Sequence, residues 1–324
     1  MVRLKLISPR LPPSSKKKLE TRLIDSQVLE RRHAGLRADN LVMRLLHPLT
    51  SYAAQSPDKL RRSTDLPRGH TSHTKHGKRS LVVAGSGTPT VVFEAGLGKG
   101  KEVWGSVFNE VATQTRCVAY DRAGYGDSEP AKTAREPMQL VRELRAMLAE
   151  EGIAPPYVLV GHSLGGTIMK LFARAYPGEI AGVVLVDARH SDFARRCKQV
   201  GMPRFLYEPP AALFLLARAA MRGELAASST MSAGQARKVG PFPSVPLVVL
   251  TQNKSVARWP KGLGRLWVAS QRNMVRMSKI SRMEVCDDAS HNVPKDRPDA
   301  VVKAVLNVVK AARFLQEKSE RRLY

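Results

Sequence analysis

The most direct indication of chemistry in this sequence is a serine between two glycines. The run Gly161-His162-Ser163-Leu164-Gly165 matches the pattern G-x-S-x-G, and it lies between an apolar run and a stretch with helical character. In that context the pattern predicts a sharp strand-to-helix turn that presents the serine hydroxyl near the positive end of the helix. The alternative interpretation is a glycine-rich turn with a purely structural role.

A serine hydroxyl is a weak nucleophile until a base accepts its proton, so the hypothesis requires a histidine or another base nearby. Beyond residue 80 the sequence has three histidines, His162, His190 and His291. His162 adjoins Ser163, and the predicted turn directs adjacent side chains apart. His190 begins a long insertion, and His291 follows the last predicted strand.

The elements that would position these residues begin at about residue 79. Short β-branched runs alternate with helical stretches from there on, which predicts a parallel sheet with crossover helices. The predicted strands are 80–83, 90–94, 117–120, 157–160, 180–186, 245–251 and 283–286, and the clearest helices are 139–151, 165–175 and 298–315.

Almost sixty residues separate the strands at 180–186 and 245–251. Connections in such folds are usually much shorter, so residues 189–243 are predicted to form a lid or cap, with an apolar helix at 211–221. The domain boundaries follow from these elements. We expect a basic, poorly ordered extension over residues 1–77, which ends in a polar linker at 68–78, then a catalytic domain over 78–316 and a tail over 317–324.

Five collinear segments stand out: VVFEAGLG at 91–98, DRAGYGDS at 121–128, GHSLGG at 161–166, VLVDA at 184–188 and SH at 290–291. Through these segments, the sequence over about residues 80–312 resembles the α/β-hydrolase superfamily, and in particular its esterase-like members. The resemblance implies an α/β fold: a mostly parallel central sheet flanked by helices, with the lid between the last-but-two and last-but-one strands. It does not extend to residues 1–77.

The resemblance also implies roles for particular residues. The family order Ser…Asp…His makes Ser163 the nucleophile and His291 the general base, the alternative being a surface-loop histidine. Many members carry the third residue, an acid, after the strand at 245–251, where this chain has no carboxylate. Asp187 fills the other family position, although it could instead satisfy loop amides, and Asp287 and Asp288 are alternatives.

The resemblance further points to the backbone N–H groups of Leu97 and Leu164 as donors to an oxyanion. Glu94 stands where many relatives have histidine, and a buried carboxylate there would brace the oxyanion loop. The Asp121-Arg122 pair is expected to be structural rather than substrate-binding. Three tryptophans could line a pocket or pack in the core or lid: Trp104, Trp259 and Trp267.

The composition adds a strong positive charge. The 324 residues include 53 Lys and Arg against 28 Asp and Glu, and residues 1–80 alone hold 18 basic and 6 acidic side chains. This excess is compatible with contact to anionic surfaces through residues 1–77, or with a solvated tail. There is no specific nucleic-acid motif, no apolar run long enough for a transmembrane segment, and no metal or cofactor motif.

Cysteine usage bears on the compartment. The three cysteines are scattered, which favours a reducing compartment, so we expect a cytoplasmic protein, with organelle import as the alternative.

We therefore expect a serine hydrolase that cleaves a carboxylic ester or related acyl bond through an acyl-Ser163 intermediate, on a hydrophobic small-molecule substrate and without a cofactor. In the resemblance, a serine at this turn counts against haloalkane dehalogenase and epoxide hydrolase chemistry, which uses aspartate there. The alternative is a non-catalytic binding protein on the same scaffold, for a hydrophobic ligand or an acidic partner. A third interpretation makes residues 1–77 an anchor to anionic membrane or nucleic acid.

Overall fold

The central feature of the structure is a sheet in which six strands lie parallel. The computed structural model describes residues 66–208, 217–230, 236 and 238–321. Within these residues the sheet has eight strands in the order β1-β2-β4-β3-β5-β6-β7-β8, and only the β1-β2 and β2-β4 pairs are antiparallel. The strands are β1 His70–Thr74, β2 Gly77–Ala84, β3 Thr90–Glu94, β4 Cys117–Tyr120, β5 Tyr157–His162, β6 Ile180–Val186, β7 Leu247–Gln252 and β8 Ser281–Cys286.

Helices cover both faces of this sheet. They are α1 Gly105–Ala112, α2 Pro137–Glu150, α3 Leu164–Ala175, α4 Phe193–Gln199, α5 Ala219–Thr230, α6 Lys261–Val275, α7 Val293–Asp296 and α8 Pro298–Glu320. The predicted α/β architecture is confirmed, as are the predicted strands from residue 80 onward to within a few residues at their ends. Helices α1, α4, α6 and α7 were not predicted.

Side chains of the central strands alternate between two apolar clusters. On β5, Leu159 packs with residues of α2 and α3 on one face, whereas Val158 and Val160 pack with residues of α1 and α8 on the other. Strands buried on both faces are apolar throughout, which is why these runs were clear in the sequence. Their carboxyl ends form one edge of the sheet, and the loops at that edge are held by a rigid core.

The first strand corrects the sequence analysis. Residues 68–78 were predicted to be a polar linker, but the β1-β2 hairpin occupies most of them, with Thr74 paired to Gly77. β1 is an edge strand of sequence HTSHT in which only Ser72 is buried, so it lacks the apolar alternation that identifies a strand. Residues 1–65 of the predicted extension lie outside the described residues.

The carboxyl-terminal boundary of the domain also differs from the prediction. Helix α8 continues to Glu320, past the predicted boundary at 316/317, because the exposed Gln, Glu and Lys residues there favour a helix.

The insertion between β6 and β7 is described in part. Its predicted apolar helix at 211–221 falls largely on residues outside the described ranges, and the described helix α5 begins only at Ala219. Ala220 and Met221 on α5 are buried against Tyr125 and Leu97. Whether the insertion acts as a lid stays a prediction. Among the described residues, no helix combines the length and apolar character needed to cross a membrane.

Candidate active site

Ser163 lies in the sharp turn between β5 and α3. Its backbone has φ 53° and ψ −114°, a left-handed conformation that is strained for a residue with a side chain. Gly161 permits the turn, because a Cβ atom there would lie 2.6 Å from the Gly165 carbonyl oxygen. The strained backbone therefore holds the serine side chain at the carboxyl edge of the sheet, as the motif predicted.

A chain of two hydrogen bonds connects Ser163 to a carboxylate. His291 Nε2 lies 2.9 Å from Ser163 Oγ, and His291 Nδ1 lies 2.6 Å from Asp187 Oδ2. Because a carboxylate oxygen can only accept, Nδ1 carries the hydrogen, and Nε2 is then free to accept the proton of Ser163. The three side chains assigned from the sequence thus form one hydrogen-bonded chain with His291 in the middle.

Asp187 follows the last residue of β6 and is fully buried. Its backbone is left-handed, with φ 40°, which turns the side chain toward the next strand. Its second oxygen, Oδ1, accepts from Trp267 Nε1 at 2.9 Å, from Thr251 Oγ1 at 3.2 Å and from the backbone N–H of Gln252 at 3.4 Å. These donors fix the carboxylate, so that Oδ2 is the oxygen presented to His291.

The alternative carboxylates face elsewhere. The Asp287 carboxylate accepts a hydrogen bond from Asn253 Nδ2 at 2.7 Å, and the backbone of Asp288 donates to Asn253 Oδ1. Both residues are exposed. At the end of β7, where many relatives have the acid, Gln252 instead donates its backbone N–H to Asp187.

Two aromatic residues support the His291 ring. His162 Nε2 lies 2.7 Å from the carbonyl oxygen of His291, and the two rings are tilted with centroids 5.0 Å apart. Burial, together with the charge of a protonated His291, lowers the pKa of His162 to about 3, so His162 is neutral and its Nε2–H donates to that carbonyl. The Trp267 ring meets His291 edge-on at 5.7 Å.

The loop after β3 lies beside the nucleophile. Glu94 and Gly161 are in register on the parallel pair β3-β5, so the segment from Ala95 to Leu97 runs next to the turn at Ser163. A Cβ atom at Gly165 would lie 2.7 Å from the Ala95 carbonyl oxygen, which shows how closely the first turn of α3 approaches this loop.

The two predicted oxyanion donors lie in these segments. Leu164 is the first residue of α3, so its N–H has no partner within the helix. Leu97 lies in the adjoining loop, and its role with Leu164 as an oxyanion donor stays a prediction.

A buried ion-pair cluster holds this loop in place. Arg122 Nη1 donates to the Ala95 carbonyl at 2.8 Å and to Glu94 Oε1 at 2.5 Å, while Nη2 donates to the Gly96 carbonyl at 2.9 Å. Tyr120 also donates its hydroxyl hydrogen to Glu94. The Asp121-Arg122 pair was expected to be structural, and Arg122 does brace the loop together with Glu94.

The same arginine reaches the insertion. Glu224 of α5 accepts from Arg122 Nε at 2.9 Å and from Nη2 at 3.0 Å, and Tyr125 donates to it at 2.8 Å. Burial alone would lower the pKa of Arg122, but the carboxylates of Glu224 and Glu94 outweigh burial and raise it, so Arg122 stays charged. Burial, in turn, raises the pKa of Glu94. Helix α5 is therefore tied to the loop that carries Leu97.

Sequence reasoning did not find the roles of Trp267 and Glu224. Trp267 was one of three tryptophans without an assigned role, and Glu224 lies in an insertion with no recognisable motif. Trp104 is in the core, 5.1 Å from the Phe93 ring, and Trp259 packs edge-on against Trp267 at 5.5 Å. Within the described ranges, no group of three or more His, Cys, Asp or Glu side chains could hold a metal ion.

Comparison with known proteins gives one family and several relatives. A family model described as "Alpha/beta hydrolase family" matches residues 91–304. The uncharacterised protein YqjL of Bacillus subtilis is 29% identical over 244 residues, which cover 75% of this chain and 90% of that protein.

Two solved structures share the fold at low identity. A thermophilic esterase from Thermogutta terrifontis has a TM-score of 0.56 at 20% identity, over 76% of this chain and 99% of its own. A loop variant of the haloalkane dehalogenase DbeA from Bradyrhizobium elkanii has a TM-score of 0.58 at 15% identity, over 78% of this chain and 99% of its own. At these identities the likeness shows the fold alone.

Proposed function

Because the chain belongs to the alpha/beta hydrolase family, we propose that it is a serine hydrolase that cleaves a carboxylic ester or a related acyl bond. The observation that carries the proposal is the hydrogen-bonded chain from Ser163 Oγ through His291 to Asp187. A buried carboxylate behind a histidine, with a serine in front of it, is the arrangement that activates a hydroxyl for acyl transfer.

In the first half of the reaction Ser163 Oγ attacks the carbonyl carbon of the substrate. His291 Nε2 accepts the hydroxyl proton, and the imidazolium that forms is stabilised by Asp187, 2.6 Å from Nδ1. The carbonyl oxygen becomes negatively charged and would be held by the N–H groups of Leu97 and Leu164. His291 then gives its proton to the leaving alcohol, which leaves an acyl group on Ser163.

The second half repeats these steps with water. His291, now neutral, accepts a proton from a water molecule, whose oxygen attacks the acyl carbon. When the intermediate collapses, the proton passes from His291 to Ser163 Oγ, and the carboxylic acid is released. Each oxyanion donor contributes typically about 3 kcal/mol of transition-state stabilisation, so the position of the loop at Leu97 is central to the rate.

The surroundings of Leu97 favour a substrate with an apolar acyl or alcohol group. Leu97 packs with Tyr125 and with Ala220 and Met221 of α5, so apolar side chains border the predicted oxyanion loop. We propose that the substrate is a hydrophobic small molecule for this reason.

The non-catalytic alternative rested on the lack of a carboxylate after β7 and on the basic N-terminal extension. Asp187 supplies a carboxylate to His291 from β6 instead, so the first of these features no longer favours a binding protein over an enzyme.

A panel of p-nitrophenyl esters of increasing acyl length tests the proposal. We expect turnover by the wild type, and a fall in kcat of about 10⁴-fold or more in Ser163→Ala. Ser319→Ala, which changes an exposed serine of α8, is the matched control and should retain full activity. Equal activity in wild type and Ser163→Ala would refute the assignment.

A further inference from the structure

A cavity lies against α3, the helix that begins directly after the nucleophile. It has a volume of about 290 Å³. The triad of the proposed hydrolase, Ser163, His291 and Asp187, is not among the described residues that line the cavity. Thr167, Lys170 and Arg174 line it from α3, and His190 and Asp192 line it from the segment after β6. The proposed hydrolysis uses none of these residues.

Lys170 is the unusual member of this lining. It is only 7% exposed, and its Nζ donates to the Arg189 carbonyl oxygen at 2.8 Å and contacts Met274 Sδ at 3.3 Å. An ammonium group has three hydrogens to donate, and its charge is costly to bury without an opposite charge. Burial, with a smaller contribution from Arg174, accordingly lowers the pKa of Lys170 to about 7.

The neighbouring polar groups are mainly donors. His190 Nδ1 accepts from the Asp192 backbone N–H at 3.0 Å, so its hydrogen is on Nε2. Arg174 Nη1 donates to the Gly240 carbonyl at 2.5 Å. Asp192 is the carboxylate in the lining, and it pairs with Arg195 at 3.0 Å. Lys170, Arg174 and His190 therefore line one cavity, and the carboxylate of Asp192 in the same lining already has a partner in Arg195.

We propose that this cavity binds a small oxyanion, the carboxylate or phosphate group of a small molecule, between Lys170, Arg174 and His190. The Asp192 carboxylate offsets the burial of Lys170 only in part, because it is paired with Arg195. The anion supplies a further negative charge near Lys170, and the volume leaves room for a few further atoms of the ligand. This site does not depend on the proposed hydrolase activity, because none of the triad residues takes part.

Anion binding at this site is coupled to the uptake of a proton. A bound anion stabilises the charged form of Lys170 and raises its pKa, so binding above pH 7 takes up a proton and weakens as the pH rises. Among the described residues, the charged or titratable groups that face Lys170 are Arg174, Asp192 and His190. Burial and Lys170 itself lower the pKa of His190 to about 3, so His190 stays neutral between pH 6 and pH 8.

Isothermal titration calorimetry on the full chain, at constant ionic strength, tests the site. Sulfate is the main probe because it does not titrate in this range. We expect sulfate to bind with a millimolar Kd. Binding should take up most of one proton per sulfate at pH 8 and only a small fraction of a proton at pH 6. The proton uptake is obtained from the binding heats in two buffers of different ionisation enthalpy. Inorganic phosphate and acetate, run in parallel, distinguish a phosphate ligand from a carboxylate ligand by which binds more tightly.

Lys170→Met is the decisive variant, since an unbranched apolar side chain is accommodated beside Met274 and Leu171. It should weaken sulfate binding at least tenfold and abolish the proton uptake, while Lys318→Met, on the exposed end of α8, should bind within about twofold of wild type. If circular dichroism shows that Lys170→Met is misfolded, Arg174→Gln replaces it with the same expected loss of affinity. The proposal is overturned if no probe binds at 50 mM, or if the folded variant binds like the wild type.

Discussion

Replacing Asp187 by asparagine would perturb the triad through a single atom. Oδ1 of Asp187 accepts hydrogen bonds from Trp267, Thr251 and the backbone N–H of Gln252. Because these groups donate, the carbonyl oxygen of an asparagine must occupy the position of Oδ1. Its NH₂ group is then placed where Oδ2 lies, 2.6 Å from His291 Nδ1. Because NH₂ donates, the histidine adopts the other tautomer, with its hydrogen on Nε2, and cannot accept the proton of Ser163.

The size of the effect follows from this geometry. In serine proteases with the same arrangement, the equivalent change leaves the structure intact and lowers kcat by about 10⁴-fold, or about 5 kcal/mol in the activation barrier. Rotating the asparagine amide by 180° would restore the hydrogen on His291 Nδ1. It would also turn the NH₂ group toward the N–H groups of Trp267 and Gln252, so that donors would face donors. We expect a loss in kcat of about 10³- to 10⁴-fold, with KM nearly unchanged.

Initial rates on the best p-nitrophenyl ester measure this prediction, with the thermal unfolding midpoint as a check on folding. Asp287→Asn is the matched control, since Asp287 is the carboxylate that lies near His291 in sequence but is exposed. It should retain wild-type kcat. If Asp187→Asn keeps more than a tenth of the activity, or if Asp287→Asn loses most of it, the assignment of the triad acid is wrong.

Four further changes test the contacts of Glu224 and Trp267, the protonation of His162 and the role of residues 1–77. Glu224→Gln removes the negative charge that pairs with buried Arg122, so we expect the free energy of unfolding in urea to fall by about 1–3 kcal/mol. We also expect kcat to fall by a larger factor than KM changes. Trp267→Phe removes the indole N–H 2.9 Å from Asp187, and kcat should fall about tenfold. His162 stays neutral when folded but takes up a proton when unfolded, so between pH 7 and pH 5 the wild type should lose about 2 kcal/mol of stability that His162→Asn does not lose. If residues 1–77 contact anionic surfaces, the full chain should be retained on vesicles of anionic lipid, less so as salt rises, and a chain lacking residues 1–65 should not.

Each of these changes has a comparison that isolates its cause. Glu317→Gln and His73→Asn alter exposed residues of the same types and should leave stability unchanged at every pH tested. Trp259→Phe removes an indole that packs on Trp267 but is not among the donors to Asp187. Retention on neutral vesicles, or retention that is insensitive to salt, would argue against the electrostatic role of the basic segment.

The parts of the site that the sequence predicted depend on local rules. The turn at Ser163 requires small residues at fixed spacing, and a buried parallel strand is apolar along its whole length, so both are visible over a few positions. His291 and Asp187 could be selected because the order of parallel strands brings their carboxyl ends to one edge. The family resemblance supplied that order.

The parts that were missed depend on contacts between distant segments. Trp267 meets Asp187 across 80 residues and Glu224 meets Arg122 across 102, and neither contact requires a recognisable pattern around the tryptophan or the glutamate. β1 was missed for a different reason. An edge strand that is polar on both faces has no apolar period, so only its pairing with β2 identifies it.

The proposed hydrolysis depends on Ser163 being a nucleophile that His291 activates. Labelling with a fluorophosphonate probe tests it most directly, because the probe forms a covalent bond only with an activated serine, and peptide mapping identifies the residue. We expect one adduct, on Ser163, which is lost in both Ser163→Ala and His291→Ala but kept in the exposed-residue control His73→Ala. A folded wild-type protein that takes no label, or a label on another serine that survives Ser163→Ala, would contradict it.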